Sequence, residues 1–171
     1  PTTTEKENTL VNALKYRYGE NLSDINGEFR RGILHRLDRN TSGLLMVAKN
    51  NQAHEFLTNQ IKEKTAIRKY LAVVRGVITE DKVLNFPIGR HKTKPQKMDV
   101  IFDEKGKPSI TEMRVLENFT DATLVELTLR TGRTHQIRVH MSHIGHPVYN
   151  DTLYGFGKMK IQTEEQVLEA Y

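Results

Sequence analysis

Two segments in which apolar and polar residues alternate, Ile110–Glu117 and Ala122–Arg130, stand only four residues apart. Leu124, Val125, Leu127 and Leu129 carry the apolar content of the second segment. A period of two sets successive side chains on opposite faces of a strand, and the short Asn118-Phe119-Thr120-Asp121 link joins the two as a hairpin. The second strand then runs through Thr131-Gly132-Arg133 into a helical segment, Thr134–Gly145, in which Ile137, Met141 and Ile144 share one face and Gly145 provides the stop. An antiparallel pair that feeds directly into a helix with one apolar face already excludes an all-helical bundle.

The other segments extend this pattern. Leu10, Leu14 and Tyr18 lie at helical spacing over residues 8–18, with Gly19 as the stop, and residues 20–32 read as a loop. Leu44–Ala48 reads as a short buried strand, and Asn51–Lys64 as an amphipathic helix with Phe56, Leu57 and Ile61 inward. Thr65–Gly76 is a β-rich run through Ile67, Tyr70, Leu71, Val73 and Val74. Lys82–Ile88 and Met98–Phe102 read as shorter strands around a basic loop, Arg90–Lys97, and Thr163–Tyr171 is helical in pattern. No repeat, low-complexity tract or internal linker divides the chain, so residues 1–171 are expected to form a single domain. The expected fold class is α+β: a mixed, mostly antiparallel sheet with flanking helices.

Composition narrows the function. The hydrophobic fraction of 37%, with six Phe and six Tyr, belongs to a folded chain with a core. With no cysteine there is neither a disulfide nor a thiolate metal site, which suits a cytoplasmic protein. No apolar run has membrane-spanning length, and Pro1-Thr2-Thr3-Thr4-Glu5 has no signal-peptide character. The net charge is +5, and residues 61–100 hold ten Lys/Arg against four acids, an excess of six that exceeds the charge of the whole chain. A local excess of this kind fits a polyanionic partner, because each cation set against a phosphate releases condensed counterions. A solvated basic surface would look the same.

Three stretches carry chemistry. In Ile33–Lys49, one acid, Asp38, stands between Arg36 and Arg39, just ahead of Asn40-Thr41-Ser42-Gly43 and an apolar run. This is the pattern of a catalytic carboxylate, and equally of a structural salt bridge. In Leu129–Pro147, Arg133 and His135 stand where a Gly turn meets a helix start, a position suited to anions. Arg138 lies one turn on, opposite the apolar face: either a surface arginine or, if buried, one that needs a carboxylate, for which Asp38 is the candidate. In Arg68–Val74, Tyr70 follows two basic residues; its ring could stack on a base or pack in a core. Four histidines, His135, His140, His143 and His146, lack a metal-ligand spacing, so no metal is expected. No Gly-x-Ser-x-Gly, Gly-x-Gly-x-x-Gly or Walker loop occurs, so no cofactor is expected either.

Taken together, His35-Arg-Leu-Asp-x-x-Thr-Ser-Gly-Leu, Arg68-Lys-Tyr, Thr131-Gly-Arg-Thr-His-Gln-Ile-Arg-Val-His140 and Gly145-His-Pro resemble, in order and spacing, the RluA/RluD-type RNA pseudouridine synthases over residues 1–157. The resemblance implies isomerisation of specific uridines in ribosomal or transfer RNA, with no cofactor. It implies that Asp38 is the catalytic aspartate, that Arg138 pairs with it and that Tyr70 stacks on the uracil and assists loss of its C5 proton. Arg36, Thr41, Arg133, His135 and Gln136 occupy motif positions around the pocket, as substrate contacts or as support. A non-catalytic RNA-binding or ribosome-assembly module of the same fold is the alternative. Family members commonly begin with a strand and a Lys-Pro-x-Gly loop and end with a further strand, so the resemblance implies a catalytic domain trimmed at both ends. The family's Gly-His-Pro-x-x-Gly-Asp has Asn150 here in place of the second Gly, and Asn tolerates positive φ better than other non-glycine residues, so the turn is expected to survive.

Overall fold

The computed structural model describes residues 7–155, which gather into two compact units that divide between Ala66 and Ile67. The helical pattern over Thr163–Tyr171 lies outside the described residues.

The first unit contains α1 (Leu10–Tyr18) and α2 (Asn51–Glu63). Asn12 Oδ1 accepts the Thr9 backbone N–H at 2.9 Å at the start of α1, and Gly19, at φ 54°, ends it as expected. Asn50 caps α2 by accepting the Ala53 N–H at 2.8 Å. Between the helices, the expected loop contains one 3₁₀ turn, Glu28–Arg30.

Two expectations fail in this unit. Phe56 is 63% exposed. Buried His54 defines the inward face of α2 together with half-buried Leu57 and Ile61, and Phe56, two residues after His54, lies about 200° around the helix from it. Leu44–Ala48 is not a buried strand: Leu44 is 94% exposed while Ala48 is buried. Among the described residues, its only ladder contact is the isolated antiparallel bridge Ile33↔Val47. An apolar run becomes a strand only when another strand satisfies its backbone, and here one bridge does so.

The second unit is built on β1 (Lys69–Arg75), β2 (Lys82–Asn85), β3 (Ile88–Arg90), β4 (Met98–Val100), β5 (Ile110–Asn118), β6 (Ala122–Leu129) and α3 (Gln136–His143). The expected hairpin is present as β5 and β6, and antiparallel pairing extends it to a four-stranded sheet in the order β1-β6-β5-β2. β3 and β4 form a separate antiparallel hairpin around the basic loop. The alternation resolves as period two predicts: Val125 and Leu127 of β6 are fully buried. They join Val74, Ile78, Leu84, Met113 and Met141 in one cluster, with Ile137 and Ile144 of α3 packed against it. Each large apolar side chain buried here contributes about 1.5–3 kcal/mol. Asn150 does adopt the left-handed turn, at φ 57°. No helix among the described residues is long and apolar enough to cross a membrane.

Candidate active site

In the first unit, Asp38 sits on a loop closed at its base. Three backbone hydrogen bonds tie that base together: Ser23 N to Ala48 O at 3.1 Å, Gly32 N to Ser23 O at 2.7 Å, and Ala48 N to Gly32 O at 2.8 Å. Gly32 has φ 70°, and a Cβ there would stand 2.9 Å from Ala48 O, so the residue is glycine for both conformation and space. Within the loop, Asp38 O accepts the Thr41 N–H at 3.0 Å, forming a tight turn that starts at the acid. His35 Nε2 accepts the Met46 N–H at 2.9 Å and bridges the two arms. Asp38 and Thr41 are half-buried, whereas Arg36 and Arg39 are exposed. Here, one turn brings together Asp38 and Thr41 among the expected residues.

In the second unit, Tyr70 pairs with Leu127 across the β1–β6 ladder and packs, partly buried, against the main core cluster. The second motif also meets the third: a Cβ on Gly132 would stand 2.5 Å from Arg68 Nη1, so a side chain there would have to displace the end of the Arg68 side chain. Arg133 is exposed, with its Nε donating to Pro108 O at 3.3 Å. His135 stands at the N-cap of α3 with φ 57°, and its Nδ1 lies 2.8 Å from the Tyr154 hydroxyl.

Gln136 is 2% exposed. Its Oε1 accepts Thr131 Oγ1–H at 2.9 Å and Arg133 N–H at 3.0 Å, while its Nε2 donates to Ile110 O at 3.0 Å and to Thr111 Oγ1 at 2.9 Å. The network continues into His140. The Phe86 carbonyl can only accept, so His140 Nε2 donates to it at 3.0 Å and Nδ1 accepts Thr111 Oγ1–H at 2.9 Å. Burial holds the His140 imidazole below its usual range; the bond to Phe86 opposes this and His143 reinforces it. Among the described residues, no three His, Asp or Glu side chains gather as a metal ligand set.

Arg138 makes a two-pronged ion pair with Asp151: Nε to Oδ2 at 2.7 Å and Nη2 to Oδ1 at 3.1 Å. The Asp151 side chain is 5% exposed and that of Arg138 is 24% exposed. Asp151 Oδ1 also accepts the N–H groups of Leu153 at 2.9 Å and Tyr154 at 3.0 Å. Burial pushes the Asp151 carboxyl up, but the Arg138 hydrogen bond, the Tyr154 and Leu153 amides and the Arg138 charge together outweigh it and hold the group below the usual carboxylate range. The Arg138 guanidinium also lies 4.8 Å from the centroid of the Tyr154 ring.

The sequence reading missed Asp151 and Tyr154. Asp151 ends the Gly-His-Pro-x-x-x-Asp stretch, so its place in a motif was a usable signal; an isolated tyrosine three residues later offers none. A cavity of about 220 Å³, lined by His91, Lys97, Met98, Ser142, His143 and Tyr154 among others, includes none of the expected site residues.

Comparison with known proteins identifies this set of motifs. Residues 2–143 match the RNA pseudouridylate synthase family. The chain is 55% identical over 148 residues to the uncharacterized RNA pseudouridine synthase YlyB of Bacillus subtilis, covering 86% of this chain and 48% of that protein. It is 45% identical over 161 residues to the ribosomal large subunit pseudouridine synthase D of Pseudomonas aeruginosa, covering 94% and 48% respectively. The solved structure of human RNA pseudouridylate synthase domain containing 1 superposes with a TM-score of 0.72 at 36% identity, covering 86% of this chain and 60% of that one. The chain thus spans about half the length of these curated relatives.

Proposed function

The chain belongs to the RNA pseudouridylate synthase family, and from that premise we propose that it is the catalytic part of an enzyme that isomerises uridine in RNA to pseudouridine. The observation that carries this reading is the family match over residues 2–143, which spans Asp38, Tyr70 and Arg138 in one continuous stretch. In this reaction the bond between N1 of uracil and C1′ breaks, C5 bonds to C1′, C5 gives up its proton and N1 gains one. No group enters or leaves and no electrons are exchanged with a partner.

Asp38 acts at the ribose, either at C1′ or by assisting proton loss from the sugar. Arg138 pairs with it, since a fixed cation stabilises a carboxylate where water is excluded. Tyr70 stacks on the base and assists removal of the C5 proton. Arg36, Thr41, Arg133 and His135 contact RNA around the pocket, and Gln136, spent on its own hydrogen bonds, supports the loop that carries Arg133 and His135. Both units belong to one catalytic domain. The target base must leave its stack to reach an internal carboxylate. The relatives named for the ribosomal large subunit favour ribosomal RNA as the substrate class.

Tritium release from C5-labelled uridine RNA, measured with the full-length protein, tests the reading. Release at catalytic turnover is expected, and Asp38→Asn should abolish it while RNA binding stays within a few-fold. RNA binding without release by the wild type would leave only the non-catalytic RNA-binding or assembly module.

A further inference from the structure

We propose that Asp151 and Tyr154 are positioning residues for Arg138, holding its guanidinium in the one orientation in which it can serve the catalytic aspartate. This rests on the reading that Arg138 is the partner of Asp38. The physical problem is that arginine has a long stem carrying about 2 kcal/mol of rotamer entropy, and a catalytic charge displaced by about 1 Å can cost about 100-fold in rate. Something must therefore fix the group before substrate arrives.

Two contacts do this. The paired bonds from Nε and Nη2 to the two Asp151 oxygens set the guanidinium's rotation within its plane. The ring of Tyr154, its centroid 4.8 Å from the guanidinium carbon, packs against the group and limits the space it can move into. Each clamp is itself anchored. Asp151 Oδ1 is held by the N–H groups of Leu153 and Tyr154, and Gly155 N–H closes the turn onto Asp151 O at 2.8 Å. Tyr154 is 5% exposed. Its hydroxyl accepts Met98 N–H at 2.8 Å from β4 and lies 2.8 Å from His135 Nδ1 at the start of α3, while its carbonyl accepts the Ser142 Oγ–H of α3 at 2.9 Å. The residues from Asp151 to Gly155 therefore form a bracket tied to both ends of α3 and to β4, with Arg138 in the first turn of the helix as the side chain it grips. An ion pair serving stability alone would need neither the ring nor these attachments.

The test is a double-mutant cycle on the full-length protein, read by single-turnover tritium release, with folding followed by melting temperature. Asp151→Asn should lower kcat about 100-fold and leave KM for RNA within about threefold. In an Arg138→Lys background, which already lacks the two-pronged pair, the same substitution should change kcat less than about threefold, because Asp151 acts through Arg138. Tyr154→Leu, which removes the ring face, should lower kcat about tenfold with KM for RNA within about threefold, and a wild-type kcat would remove the ring from the proposal. Equal losses from Asp151→Asn in both backgrounds, or an unaffected kcat, would overturn the proposal. If Asp151→Asn melts below the assay temperature, Asp151→Glu keeps the charge and displaces it by one methylene: a lowered kcat with unchanged KM upholds the role, and wild-type kcat refutes it. A wild type that releases no tritium at all refutes instead the functional reading beneath it.

Discussion

At the scale of single residues, backbone conformation decides more than side-chain chemistry. Gly32 closes the base of the Asp38 loop because its φ of 70° and its 2.9 Å clearance to Ala48 O leave no room for a Cβ. Gly32→Ala is therefore expected to destabilise the fold by about 2–4 kcal/mol, since it combines backbone strain with a clash against a fixed carbonyl. Thermal denaturation checks this, and an unchanged melting temperature would mean that the loop base yields at no cost. This requirement was hidden in the sequence, where Gly32 looks like any loop glycine; its partner, Ala48, is sixteen residues away. Asn150 shows the opposite case. Its left-handed backbone was expected from the residue type and its place in the motif, and it is found at φ 57°.

At the scale of elements, the Gln136–Thr111–His140 network fastens α3 to the sheet. It runs from the Thr131–Arg133 loop through β5 to the Phe86 carbonyl, with every hydrogen bond between 2.9 and 3.0 Å. His140, fully buried, sits below its ordinary imidazole range mainly because of that burial. The unfolded chain therefore takes up the proton first, at about pH 6.5. The stability that neutral His140 contributes is complete above that pH and is lost as pH falls from there towards the lower folded value. Urea denaturation should show stability falling as pH drops below about 6.5, with a shallower fall in His140→Gln; equal slopes would assign the effect to other groups. The histidine spacing argued against a metal site, but it could not reveal what His140 does. Thr111 and Phe86, its two partners, are distant in the chain and are brought to it by the sheet.

At the scale of the whole molecule, charge is the property most directly readable from the sequence. The basic excess of residues 61–100 includes the loop between β3 and β4, where Lys92 and Lys94 are exposed. If that loop meets phosphates, neutralising both lysines as Lys92→Gln and Lys94→Gln should reduce the slope of log affinity against log salt by about one to two, and weaken binding to all RNA sequences alike. A salt titration of RNA binding measures this, and an unchanged slope would place the loop away from the backbone contacts.

Local pattern alone placed α1, α2, α3 and the segments of β1, β5 and β6, because hydrophobic period and end signals act over a few residues; the run Lys82–Ile88, expected as one strand, is divided between β2 and β3, which pair in different sheets. Local pattern also placed the Arg68–Val74 and Leu129–Pro147 motifs on the elements that carry them. It did not decide the fate of Leu44–Ala48 or the facing of Phe56, since an apolar residue is buried only if another part of the chain covers it. The partner of Arg138 within its own unit was likewise beyond it. The sequence offered an arginine in need of a carboxylate, and only the fold, by turning the chain back after α3 and clamping residues 151–155 against it, supplied Asp151 at 2.7 Å.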